Sequence, residues 1–155
     1  MMRQTLVLIG LLGLAACGQK PQPAAPTLTV ENAVVRIAAV EGRPGAAYFT
    51  LHGGTGSDRL VSISSSKIAT IELHETMNTN GMMAMKPLTG IDVPAGATIA
   101  FEPGGRHAML FGMDPAIKAG RTLPLHFTFQ SGKVIDAEAK TIAPGDAVPE
   151  NHDAH

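Results

Sequence analysis

The chain has 155 residues, enough for one domain with a real core, of which 45% are apolar and 16% charged. A formal net charge of −1, no Trp and a single Tyr exclude a basic nucleic-acid stripe and argue against a base-stacking surface. Cys17 is the only cysteine, so no intramolecular disulfide is possible and no thiolate lies in the domain that follows.

In chain order, Arg3 and the nine-residue apolar run from Leu6 to Leu14 come first. This run is far too short to span a bilayer and fits a signal peptide. It ends in Leu14-Ala15-Ala16-Cys17, similar to a bacterial lipoprotein cleavage box. Residues 1–16 are therefore expected to be a lipoprotein-type signal peptide and Cys17 the lipidated first residue of the mature protein. An ordinary secretory signal is the alternative, and both export the chain. Residues 17–26, which include GQKPQPAAP, read as a Pro-rich tether to the membrane.

From Thr27 the chain changes to short β-branched runs broken by Gly and Pro. Strands are predicted within 28–38, 46–52, 59–64, 69–75, 97–102, 106–113, 122–129 and 133–139. The turn signals between them include GGTGSD, PAGA, EPGG, DPAIKAG and SGK. Short strands at this spacing predict an all-β sandwich or barrel over residues 27–142. Residues 143–155 carry His152 and His155 but no core-forming run, and are expected to be a disordered tail.

Strand alternation places side chains. In ATIELHE, Ile71 and Leu73 face the core while Glu72 and His74 face outward. In RHAMLFGM, His107, Met109 and Phe111 share the face opposite Ala108 and Leu110. His107 and Met109 then lie roughly 6–7 Å apart at Cα, close enough to meet on one small ion.

Met1 and Met2 fall in the signal peptide, and all six other methionines lie between Met77 and Met113. Core filling would scatter them. Thioether and imidazole are neutral donors that suit soft Cu(I), whereas zinc prefers thiolate, imidazole and carboxylate, and calcium and magnesium need oxygen. The cluster points to copper in its reduced state. Blue-copper electron transfer needs a Cys ligand, which the mature domain lacks.

The spacing of His74, Met85, His107 and Met109 is H-x10-M-x21-H-x-M. Together with LHETM, GMMAMKPL and IDVPAGATIAFEPGGRHAML, it resembles the signature of the periplasmic copper chaperone family PCu(A)C, over roughly residues 28–140. The resemblance implies a cupredoxin-like Greek-key β-sandwich and a Cu(I) site formed by His74, Met85, His107 and Met109. It also implies copper delivery to the dinuclear copper-A centre of cytochrome c oxidase. The expected partners are that oxidase subunit, another copper chaperone and, through the lipid anchor, a membrane. The expected location is the periplasm. Transfer by ligand exchange is expected, with the NTNGMMAM stretch read as a flexible loop that permits it.

The other candidate residues have blander readings beside these. Met82 and Met83 are expected to pack, while Met77 and Met113 are cover for the site or spare thioethers. His52 and His126 are read as solvated strand residues. His152 and His155 are either a solvated tail or an auxiliary Cu(II) site. No G-x-S-x-G elbow, P-loop or dinucleotide fingerprint occurs, and in HETMN Asn78 stands where a zinc-protease motif needs its second His. The protein is therefore not expected to be an enzyme. A periplasmic copper buffer without a dedicated client and a metal-free structural β-sandwich module are the alternatives to a carrier.

Overall fold

The computed structural model describes residues 24–149. The expected signal peptide, Cys17, most of the tether, and His152 and His155 lie outside the described residues. The ten strands are β1 (Thr29–Arg36), β2 (Gly45–His52), β3 (Asp58–Ser64), β4 (Ile68–Thr79), β5 (Met82–Leu88), β6 (Ile91–Val93), β7 (Thr98–Phe101), β8 (Arg106–Met113), β9 (Thr122–Phe129) and β10 (Val134–Ile142). No helix occurs among the described residues. All eight predicted strands are present, and β5 and β6 are additional.

The strands form one continuous ladder in the order β5-β4-β8-β2-β1-β10-β9-β3-β6, with β7 also paired to β2. β1 and β10 run parallel, and the other pairs are antiparallel. Strand β2 turns the corner of the fold: Gly45, Ala46 and Ala47 pair with β8, while Phe49 to His52 pair with β7. The ladder closes over an interior of Val35, Phe49, Leu51, Leu60, Phe101, Leu110, Leu125 and Phe127, all nearly or fully buried. Alternation builds this core directly. In β9, Leu123, Leu125, Phe127 and Phe129 point inward and the residues between them do not.

Strand β5 exists because of Asn80-Gly81. Both residues have left-handed backbone (φ 53° and 81°), and Thr79 pairs directly with Met82. That is the two-residue hairpin turn whose twist matches paired strands, and Gly adopts its conformation without steric cost. The Asn78 side-chain oxygen accepts the Gly81 amide at 3.0 Å. The expected flexible loop at NTNGMMAM is therefore a β-hairpin, with β5 as one edge of the ladder. The packing expected for Met82 and Met83 is also overturned: they are 73% and 64% exposed, because the hairpin extends beyond the core and neither of its faces is covered.

A carboxylate staples the opposite end. One oxygen of Asp58 accepts the Arg59 and Ser131 amides at 2.8 and 3.1 Å, and the other accepts the Ser131 hydroxyl. The Ser131 hydroxyl above all, aided by these amides and by the charge of Lys133 and opposed by burial, holds the Asp58 carboxyl below its usual range. Because the folded value is the lower one, this stabilisation is present above the unfolded value of about 3.9 and is lost as pH falls through the folded value. Asp58→Ala should cost about 1 kcal/mol at pH 7, the scale of a net hydrogen bond. Urea denaturation should show the gap between variant and parent narrowing in acid.

Candidate metal centre

Three adjacent strands carry the four candidate ligands. On β4 and β8 the register pairs His74 with His107 and Glu72 with Met109. On β4 and β5 it pairs Thr76 with Met85 and His74 with Pro87. Directly paired residues project from the same face, as do residues two apart on a strand. His74, Met85, His107 and Met109 therefore share one face. Leu73, Ala108 and Leu110 on the other face are buried in the core. Paired Cα atoms lie about 4.5–5.5 Å apart. His74 and His107 stand directly opposite each other, with Met85 and Met109 on the diagonals at about 7–8 Å.

The two imidazoles are near-parallel, 6.0 Å between ring centres at an interplanar angle of 25°. Rings that share one ion through bonds of about 2 Å, the length of a zinc–imidazole bond, have centres at most about 6 Å apart, so a turn that brings their in-plane lone pairs to one point would complete the pair. His107 is 9% exposed, and the His74 side chain 13%. His107 Nδ1 lies 3.1 Å from the Gly105 carbonyl, which also accepts the Thr76 amide at 3.1 Å. One carbonyl thus ties β4 to the start of β8 and holds the His107 ring. His74 Nε2 lies 3.0 Å from a Glu72 carboxylate oxygen, while His74 Nδ1 is buried without a partner. A buried nitrogen left unpaired inside a donor cluster is the feature expected where an ion binds.

The donor chemistry agrees. Among the described residues, no group of three or more His, Cys, Asp or Glu side chains is arranged to hold a metal ion. The four candidate donors are two imidazoles and two thioethers, and such a set suits a soft monovalent ion better than zinc or calcium. Met85 is 57% exposed, on the edge strand β5. The site thus lies across strand faces, with Met85 on a strand and not in the flexible loop expected for residues 78–85. An open pocket of about 400 Å³ adjoins it, lined in part by Arg36, Tyr48, Thr76, His107 and Met109.

Met83, two residues from Met85 and paired with Asn78, shares the ligand face further out on the hairpin, and the other sulfur and nitrogen donors among the described residues lie elsewhere. Met77 pairs with Ala84 and projects from the face opposite His74. Met113 is partly buried and packs against the core, its sulfur 2.5 Å from where a Cβ on Gly45 would sit. His52 contacts the Thr98 hydroxyl at 3.2 Å and Glu31 at 3.6 Å, and His126 meets Asp136 at 2.6 Å. These carboxylate contacts bridge neighbouring strands. The sequence placed Glu72 on the outward face beside His74 but gave it no role, although its i, i+2 relation to His74 on a strand was the signal for one.

A family model described as putative lipoprotein LpqE-like matches residues 28–141. The chain is 33% identical over 140 residues to the putative lipoprotein Lxx21020 of Leifsonia xyli subsp. xyli (strain CTCB07), covering 85% of this chain and 84% of that protein. Its fold is similar to the solution structure of Cu(I)-DR1885 from Deinococcus radiodurans, with a TM-score of 0.64, 26% identity, and coverage of 81% of this chain and 85% of that one. It is also similar to the copper-bound PCuAC domain from PmoF2, with a TM-score of 0.64, 17% identity, and coverage of 78% and 97%. The all-β ladder is accordingly the cupredoxin-like β-sandwich of PCuAC domains. The chain belongs to the LpqE-like family of lipoproteins, the PCu(A)C copper chaperone family.

Proposed function

We propose that the protein is an extracytoplasmic Cu(I) carrier, anchored through lipidated Cys17, that delivers copper to the copper-A centre of cytochrome c oxidase. His74, Met85, His107 and Met109 are the ligands. The reading rests on one observation above all: the registers of β4, β5 and β8 put two imidazoles and two thioethers on one outward face, with the rings 6.0 Å apart. Its copper-bound relative of known structure is a further support.

The geometry suits release as well as binding. All four donors are neutral, so no thiolate anchors the ion. Met85 stands exposed on an edge strand, and the adjoining pocket gives an incoming ligand access to the side bearing His107 and Met109. An acceptor sulfur or nitrogen adds to the ion as one of these ligands leaves. The copper stays monovalent throughout, and no electron is transferred.

Mixing the Cu(I)-loaded protein with the soluble copper-A domain of the oxidase tests delivery. Copper should move to the acceptor, and retention by the donor would overturn the carrier reading. A buffering role without a dedicated client is the second reading. It is favoured by the exposed thioethers of Met77, Met82 and Met83, which offer extra weak Cu(I) donors. His152 and His155 would add an auxiliary Cu(II) site in that role, since imidazoles suit Cu(II).

A further inference from the structure

We infer that the two histidines bind copper through different nitrogens, His74 through Nδ1 and His107 through Nε2, and that Glu72 is the positioning residue that sets the first. The inference rests on the copper reading above and deepens it. A carbonyl oxygen can only accept a hydrogen bond. The 3.1 Å contact from His107 Nδ1 to the Gly105 carbonyl therefore places a proton on Nδ1 and leaves the lone pair on Nε2. A carboxylate oxygen likewise accepts. The 3.0 Å contact from His74 Nε2 to Glu72 places the proton on Nε2, so the free lone pair is on Nδ1, the buried nitrogen with no partner. The two rings present opposite nitrogens because their supports come from opposite sides. His107 is held by the turn before β8, and His74 by its neighbour two residues back on β4.

Glu72 has a reason to be there beyond orientation. It pairs with Met109 across β4 and β8, so its charge stands within one strand spacing of a thioether ligand. Four neutral donors leave the bound ion's +1 charge uncompensated, and Glu72 supplies the opposite charge through the His74 ring. Carboxylate–imidazole–metal relays of this kind fix the ring and raise its basicity. Glu75, the other acidic residue of β4, alternates to the opposite face and meets Arg106 at 3.3 Å. Glu72 is thus the acidic side chain of β4 on the ligand face.

The assignment is tested by nitrogen-resolved NMR of the protein labelled with ¹⁵N at histidine, before and after adding Cu(I) as its acetonitrile complex. In the metal-free protein, His74 should show the Nε2–H tautomer and His107 the Nδ1–H tautomer. On loading, the shifts of His74 Nδ1 and His107 Nε2 should move. Movement of His74 Nε2 instead overturns the inference while leaving the copper site intact. If neither ring responds, the copper reading falls and the inference falls with it.

Affinity separates orientation from charge. By competition with a Cu(I) chelator, Glu72→Ala should bind roughly 10–100-fold more weakly, the usual cost of removing an outer-shell partner. Glu72→Gln keeps an oxygen acceptor for His74 Nε2, so it should retain the tautomer and most of the affinity. Parental affinity and an unchanged His74 tautomer in Glu72→Ala would overturn the role of Glu72.

Discussion

His107→Ala should weaken Cu(I) binding by at least about a hundredfold in a chelator competition titration. Losing an outer-shell partner of a ligand costs 10–100-fold, and losing the ligand itself should exceed that. His107 is also the most pre-organised of the four donors. It is 9% exposed, its ring is held by the Gly105 carbonyl, and it faces His74 at 6.0 Å. The free protein therefore gives up little side-chain freedom to bind through it. Met85→Ala should lose less affinity. Its thioether is 57% exposed on an edge strand, so ordering it on the ion offsets part of what the bond contributes. The double variant should fall short of the sum of the two, because the ligands act as one unit. The Met85 substitution should leave the melting temperature of the metal-free protein nearly unchanged. If both single variants hold copper as tightly as the parent, these residues are not the site.

The face shared by the candidate ligands was legible in the sequence for a definite reason. A strand with one buried face announces its alternation, and β4 and β8 each bury one: Leu73 on the first, Ala108 and Leu110 on the second. The face of His74, and that of His107 and Met109, follow from period-2 reading alone. Strand β8 begins and ends where the sequence placed it. The hairpin arm was harder. Residues 82–87 of β5 are exposed throughout, so no hydrophobic period marks the strand. Its methionines suggested a core stretch or a loop when they in fact coat a hairpin. Asn80-Gly81 was the available signal, and it outweighs composition because it dictates backbone geometry. What a single chain of letters cannot carry is cross-strand register. That His74 stands opposite His107, and Thr76 opposite Met85, depends on how three strands slide past one another. The proton positions on the two rings depend on contacts finer still.

Phe49→Ala should destabilise the metal-free protein by about 3–5 kcal/mol, the range for truncating a buried Phe. Phe49 is 1% exposed, stacks on Phe101 at 4.1 Å between ring centres and meets Phe127 edge-on at 4.9 Å. It pairs directly with Phe101 between β2 and β7, at the point where β2 passes from β8 to β7 as partner. The lost ring would open a cavity at the corner that joins the two halves of the ladder. At roughly 4 °C per kcal/mol for a domain of this size, the melting temperature should fall by about 12–20 °C. The proposed ligands, however, lie on the outward face of the neighbouring strands, and Ala46 and Ala47 would still pair with Met109 and Ala108. Copper affinity measured on the folded variant should therefore stay within about threefold of the parent. A ligand that binds only the folded state adds about 4.1 kcal/mol when its free concentration is a thousand times the dissociation constant. Cu(I) buffered at that level should return Phe49→Ala to near the melting temperature of the copper-free parent, and the same buffer should give His107→Ala a much smaller rise. Equal rises in the two variants would mean that copper stabilises the fold from somewhere other than the β4–β5–β8 face.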